Sequence, residues 1–358
     1  MTRTALAPND SADTEARELL YDLVSIPSPT GEESEAAERL AAFFEANDRE
    51  VWLDEVGNVR APADDSLLLT SHIDTVSGEI PVRVEQTDDA DEYEADGPVL
   101  WGRGSVDATG PLVAMAVAAV RTGVSFAGVV GEEVDSRGAH HLVETREAPD
   151  AVINGEPSGW DGVTLGYRGI LSGTYVATSE SGHTSRPEPN AIQHGLGWWN
   201  RVEDRFEHDP YEPTFEQVTA KPIAVDGGTS EDGLSVETTL DVQLRVPPRL
   251  SVADVRERAD AELDAGHVNW HDSVPPVMVS PRSEAARAFR VAIRNADGDP
   301  RLLRKTGTSD MNLFTPWDVP MATYGPGDSD LDHAPNERLP LAELDRATAV
   351  LEEVATRL

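Results

Sequence analysis

The sequence predicts an α/β protein. Its catalytic domain is a mixed, mostly parallel sheet flanked by helices, and a smaller α+β domain of ferredoxin-like type is inserted into it. Three observations lead there. In the first 155 residues short apolar runs alternate with helical patterns, and strands apolar on both faces belong in sheets covered by helices. The middle of the chain changes to alternating apolar and polar residues, the mark of a sheet with one solvated face. From about residue 280 the doubly buried pattern returns. The discontinuous catalytic domain is therefore expected at 1–167 and 279–358, and the inserted domain at 168–278.

The elements follow in order. Residues 14–24 and 33–47 carry apolar residues at helical spacing (Leu19, Leu20, Leu23, Val24; Ala37, Leu40, Phe43, Phe44). The run SLLLTS at 66–71 reads as a strand buried on both faces, as do 126–130, 151–153 and 321–324. PLVAMAVAAV at 111–120 is a buried helix with proline near its first turn. In the insert, 162–179 mixes glycine with alternating apolar positions, and 191–206 and 252–263 read as helices. Residues 234–246 form a half-exposed strand, closed by Pro247 and Pro248. The acidic stretch 85–96 is expected to be a solvated hairpin or loop.

Composition excludes several functions. The 66 acidic residues stand against 29 Lys and Arg, a net charge of −37, yet 39% of the chain is hydrophobic. Such a chain builds a core and is not an acidic disordered protein. Its net field repels nucleic acid and anionic membranes. No apolar run approaches the roughly 20 residues of a membrane span, and the start lacks the apolar core of a secretion signal. With no cysteine there are no disulfides or thiolate metal sites. A cytoplasmic protein is expected. Only Lys221 and Lys305 are lysines, which with the acid excess points to a surface made for high salt.

In so acidic a chain an acidic motif alone means little, whereas histidine is scarce and position at a strand end is informative. His72 follows the 66–71 strand, Glu132 and Glu133 follow 126–130, Glu156 follows 151–153, and His333 lies in the loop after 321–324. Asp107 precedes the 111–120 helix. Open α/β sheets bind ligands at the carboxyl ends of their strands, so these residues are expected to converge. Two histidines and three carboxylates suit a pair of zinc-like ions, with Zn most expected and Co equally able to use the set. Asp107 is the candidate bridge. Asp74, two residues beyond His72, is expected to accept the other imidazole N–H and fix its tautomer. Of the glutamate pair, Glu133 is assigned to metal and Glu132 to the general base, which takes a proton from water and returns it to the leaving amine. The alternative class, a metal-free binding protein on the same fold, would be expected to have lost a ligand or the base, and none is lost here.

The ordered motifs SHIDT (71–75), GRGSVD (102–107), GEE (131–133), NGEP (154–157) and LDH (331–333) resemble the zinc amidohydrolase family that includes acetylornithine deacetylase, succinyl-diaminopimelate desuccinylase and carboxypeptidase-like aminoacylases. The resemblance implies that His72, Asp107 and Glu156 hold one metal and Asp107, Glu133 and His333 the other. It also implies a cis peptide after Asp107. GHTSRP (182–187) resembles the family's insert motif, which implies that His183 reaches the partner subunit's site to polarise the scissile carbonyl, and hence a homodimer through the insert. Arg245 and the GTSD loop with Thr308 and Ser309 match positions implied to bind a substrate carboxylate. DATG (107–110) departs from the family's usual Asp-x-Lys-Gly, at a position that is not a ligand. The stretches 155–169 and 324–337 look most like the branch that releases lysine or ornithine from the C-terminal glutamate of a small acidic amino-group carrier protein, at the end of lysine or arginine biosynthesis. The alternative within the family is an N-acyl amino acid deacylase, a desuccinylase or a dipeptidase.

Overall fold

The computed structural model describes residues 13–87 and 97–358. The first twelve residues and most of the acidic stretch expected as a loop at 85–96 lie outside them. Among the described residues no helix is long and apolar enough to cross a membrane. The helices are α1 (Thr14–Val24), α2 (Ser34–Ala46), α3 (Thr109–Thr122), α4 (Arg137–Thr145), α5 (Ala191–Arg205), α6 (Val252–Asp260), α7 (Glu284–Asn295) and α8 (Leu341–Ala355). The strands are β1 (Trp52–Leu53), β2 (Val59–Ala61), β3 (Asp64–His72), β4 (Arg83–Thr87), β5 (Gly97–Trp101), β6 (Val124–Val129), β7 (Val152–Gly155), β8 (Gly162–Tyr167), β9 (Gly169–Glu180), β10 (Thr219–Thr229), β11 (Ser235–Val246), β12 (His267–Val274), β13 (Val277–Met278), β14 (Arg301–Lys305), β15 (Met321–Thr323) and β16 (Arg338–Pro340).

The chain divides into two units. The first contains 1–165, 279–303 and 309–358; the second contains 166–278 and 304–308. The sequence reading left 304–308 with the first. In the first unit the main sheet runs β1-β2-β6-β3-β7-β15-β8. Its centre is parallel: β3 pairs with β6 and with β7, and β7 with β15. These strands are short and buried on both faces because helices cover them. From Leu67 to His72, β3 is buried at every position. Helix α3 is buried over its first eleven residues, so it has no polar face to pattern and reads only as an apolar run. It ends at Gly123, whose φ of 78° lets the chain turn sharply after the last helical residue. Helix α1 buries Leu19, Leu20 and Leu23, each contributing roughly 1.5–3 kcal/mol by leaving water. A small separate sheet, β16-β5-β4, was not expected from the sequence.

The second unit carries an antiparallel sheet in the order β10-β11-β9-β12. Along β11 buried positions alternate with exposed or half-buried ones from Thr238 onward, as expected for a half-solvated strand. Its covered face packs on α5 and α6 through Tyr175, Trp198, Val202, Leu240, Val242, Leu244 and Val255. Strand β10 lies at the sheet edge and exposes Ile223 and Val225.

Candidate metal centre and active site

The parallel core of the first unit delivers its polar residues to one end. His72 is the last residue of β3, and Glu156 directly follows β7. At β7 the backbone passes so close to β3 that a Cβ on Gly155 would stand 2.6 Å from the Ser71 Cβ, so only glycine fits beside the ligand candidate. After β6 the chain turns at Gly131, with φ of 82°. The backbone N–H groups of Asp135 and Ser136 donate to the Gly131 carbonyl, closing the loop that presents Glu132 and Glu133. Asp107 ends the loop between β5 and α3, and its peptide bond to Ala108 is cis, as the family resemblance implied. His333 sits in the left-handed region with φ of 60°, an unusual conformation for a residue with a side chain.

These loops converge. The ligand atoms of His72, Asp107 and Glu156 lie within 4.8 Å of one another, and so do those of Asp107, Glu133 and His333. Asp107 belongs to both groups. Its Oδ1 is 3.3 Å from His72 Nε2 and its Oδ2 3.2 Å from His333 Nε2. His333 Nε2 also lies 3.0 Å from Glu133 Oε2. Burial opposes ionisation of Asp107, but the two imidazoles outweigh it and hold the carboxyl below the usual range.

The donor set fits cations. His72 Nδ1 faces the main-chain carbonyl of Asp74 at 2.8 Å. A carbonyl only accepts, so Nδ1 carries the hydrogen. A neutral His72 then turns the Nε2 lone pair toward the Asp107 carboxylate. Two acceptors at that distance repel unless a positive charge stands with them. Burial alone would lower the His72 pKa, yet the carboxylates of Asp107 and Asp74 raise it well above the ordinary value. Around the two imidazoles stand the carboxyls of Asp74, Asp107, Glu132, Glu133, Glu156 and Asp310. Burial, then the charge of Glu156, pushes Glu132 well above the ordinary glutamate range. Glu133 is raised by burial and by Asp107. So many carboxyls in one buried place call for added positive charge.

The role expected for Asp74 shifts in detail. Its main-chain oxygen orients His72, while the carboxylate stands 3.6 Å from Nδ1. The carboxylate instead accepts the backbone N–H of Glu132 at 3.0 Å, that of Glu133 at 3.1 Å and the Thr30 hydroxyl at 2.7 Å. Asp74 thus holds the loop of the candidate base.

Two acids given no role from the sequence belong to the same end. Asp310 is buried beside Glu132, takes a hydrogen bond from Ser136, and is pushed by burial to about 7. Glu337 is buried beneath Asp107. The one available signal for Glu337 was an acid four residues past His333, and in a chain with 66 acids that is weak. The remaining candidates sit as follows. Ser309 caps the short turn at Asp310–Asn312 through its hydroxyl. In the second unit Arg245 donates to the Thr308 hydroxyl at 3.3 Å. His183 is exposed in a turn there, its Nδ1 2.8 Å from the Ser185 hydroxyl.

Comparison with known proteins gives the family. The LysW-lysine hydrolase of Deinococcus radiodurans is 39% identical over 96% of this chain and 97% of its own length. The LysW-lysine/LysW-ornithine hydrolase of Sulfurisphaera tokodaii is 31% identical over 92% and 91%. Among solved structures, a tripeptidase from Staphylococcus aureus superposes with a TM-score of 0.74, covering 96% of this chain and 97% of that one at 22% identity. It shares the fold. Residues 68–357 match the model of peptidase family M20/M25/M40, a span that takes in the whole ligand constellation, and the chain belongs to that family.

Proposed function

We propose that this chain is a two-metal amide hydrolase that releases lysine or ornithine from the C-terminal glutamate of a small acidic carrier protein, the closing step of lysine or arginine biosynthesis. The reaction class rests on family membership and on the shared Asp107 between two ligand groups. The substrate rests on one observation, the near-full-length similarity to hydrolases named for LysW conjugates.

His72, Asp107 and Glu156 would hold one divalent ion and Asp107, Glu133 and His333 the other, zinc first and cobalt as the alternative. When bound, the ions supply Lewis acidity to the amide carbonyl and make the attacking water easier to deprotonate. The work of the chain itself is proton transfer and positioning. Glu132 accepts the proton of the attacking water on its carboxylate and returns it to the leaving amine. Its raised pKa suits both directions of transfer. Asp74 fixes the Glu132 backbone, and the Asp74 carbonyl fixes the His72 tautomer. Arg245, with Thr308 beside it, is a donor pair for a substrate carboxylate; Ser309 completes that loop.

The second unit serves assembly in this reading. Strand β10 presents an unpaired edge with Ile223 and Val225 exposed, suited to a second copy. In the homodimer, His183 of one protomer serves as oxyanion donor to the site of the other. The protein works in the cytoplasm, where its carrier is made. The acid excess is an adaptation to salt, which also screens repulsion between enzyme and carrier.

The deciding experiment compares turnover of carrier–lysine and carrier–ornithine conjugates with turnover of N-acetylornithine and N-succinyl-diaminopimelate, at molar salt with zinc or cobalt. The carrier conjugates are expected to be preferred by orders of magnitude. Faster turnover of N-acetylornithine would overturn the substrate assignment.

A further inference from the structure

Glu337 makes an unusual set of bonds. It is 0% exposed. Its Oε1 accepts the backbone N–H of Val106 at 2.9 Å and of Asp107 at 3.0 Å. Its Oε2 accepts the backbone N–H of Gly104 at 3.1 Å and Arg103 Nη1 at 2.8 Å. Three successive-loop N–H groups converging on one point form an anion-binding nest, and here the chain fills it with its own carboxylate. The clamp is reciprocal. Arg103, on the loop of Asp107, also donates to the carbonyl of Ala334, the residue after His333, at 3.3 Å. The N–H of Gly102 donates to the carbonyl of Glu337 at 3.4 Å.

All of these bonds end on 102–107 or on 334–337. They tie the segment that ends in Asp107 to the segment that begins after His333, and Arg103 Nε also donates to the Gly78 carbonyl at 3.3 Å. Asp107 belongs to both ligand groups, so a small displacement of its backbone alters both. His333 stands exposed in a left-handed conformation, between the short turn Ser329–Leu331 and strand β16. The β5–β16 pairing joins the two segments from Trp101 and Arg338 onward, and the buried Glu337 carboxyl joins them on the Asp107 side of that pairing.

We propose that Glu337 is a positioning residue of the metal centre: it fixes the Asp107 backbone and couples it to His333, so that both ion sites keep their geometry. This rests on the two-metal reading above. Substitution of groups that orient metal ligands typically costs 10–100-fold in metal affinity. The carboxylate with its four donors also contributes to stability, so fold and metal readouts have to be separated.

The test uses the full-length protein freed of metal and titrated with cobalt(II) chloride against a competing chelator, with the visible ligand-field spectrum recorded at each step. Wild type is expected to take up two ions. In Glu337→Gln an amide NH2 replaces one acceptor and faces the donors, and cobalt affinity is expected to fall 10–100-fold with a changed spectrum. Glu337→Asp keeps the charge but withdraws it by one methylene, and is expected to change in the same direction. Asp345→Asn weakens the half-buried Arg17–Asp345 ion pair between α1 and α8, at 2.5 Å, and serves as the stability control. It is expected to lower the melting temperature while leaving cobalt affinity and spectrum as in wild type. Wild-type affinity and spectrum in either Glu337 variant overturn the proposal. So does a loss of affinity in Asp345→Asn matching that of Glu337→Gln at equal loss of stability. Failure of wild type to bind cobalt overturns the two-metal reading itself, a different outcome from an unchanged Glu337 variant.

Discussion

The carboxylate of Asp74 accepts the backbone N–H of Glu132 at 3.0 Å. The residue placed to orient a candidate ligand therefore also sets the position of the candidate base, through main chain rather than side chain. Burial raises the Asp74 pKa, but the His72 imidazole 3.6 Å away and hydrogen bonds from Thr30 and the Glu133 N–H outweigh it and hold the carboxyl at about 2. A carboxyl depressed in the folded state adds stability that is full above its unfolded value near 4 and is lost as the pH falls through about 2. Metal-free Asp74→Asn is expected to lack that acid-labile component. The measurement is denaturant unfolding of both proteins between pH 5 and pH 2, where their stabilities should converge. A constant gap across the range would show that the ionised state of Asp74 is not what stabilises the fold.

Glu132→Gln keeps shape and removes the proton acceptor. Its kcat is expected to fall roughly 10²–10⁴-fold, with two metal ions still bound per chain. Retained activity would remove Glu132 from the role of base. Loss of metal together with activity would make it a ligand instead.

Metal uptake is expected to strengthen with pH. In the metal-free protein the hydrogen bond to Asp107 and the charge of Glu133 raise His333 to about 9, against the opposing effect of desolvation. A metal ligand must be the neutral imidazole, so a proton competes with the ion at neutral pH. Chelator-competition titrations at pH 6.5, 7.5 and 8.5 should give steadily tighter binding of the ion that uses His333. In His333→Ala that steepness should disappear along with one ion. A pH-independent affinity in wild type would contradict the arrangement.

The exposed edge of β10 predicts assembly. If the proposed dimer forms through this edge, Val225→Asp is expected to shift sedimentation from dimer toward monomer, and kcat should fall with it, because the proposed oxyanion donor His183 would then be withheld from the opposite site. His183→Ala alone should leave the dimer intact while lowering kcat by about 10²-fold or more. A fully active Val225→Asp monomer would dispose of the cross-subunit role.

The net charge of −37 predicts a salt response. Self-repulsion of the folded surface is screened as salt rises, so the melting temperature should climb from 0.1 to 2 M potassium chloride. A flat or falling curve would remove the salt-adapted reading of the surface.

Much of the site was legible because of where its residues stand. A strand such as β3, buried at six successive positions, makes a polar residue at its end conspicuous, and His72 and Glu156 stand out in this way. Helix α3 was legible from apolar continuity alone. The small sheet β16-β5-β4 was not, because its strands are short and β16 joins the local β4–β5 pair across more than 200 residues of chain, as Leu339 does with Leu100.

The sequence by itself determined the α/β class, the change of pattern that marks the inserted unit, and the identity of the ligand candidates. Each of these is written in periodicity or in scarce residue types at strand ends, and such signals are local. Only the tertiary structure decided which groups face one another. It placed the Asp74 carboxylate on the Glu132–Glu133 backbone, the Asp74 carbonyl on His72, and Glu337 under Asp107 across 230 residues. Those partners are backbone N–H and C=O groups, which every residue carries alike. What distinguishes them is their direction in the folded chain, and direction has no trace in the order of side chains.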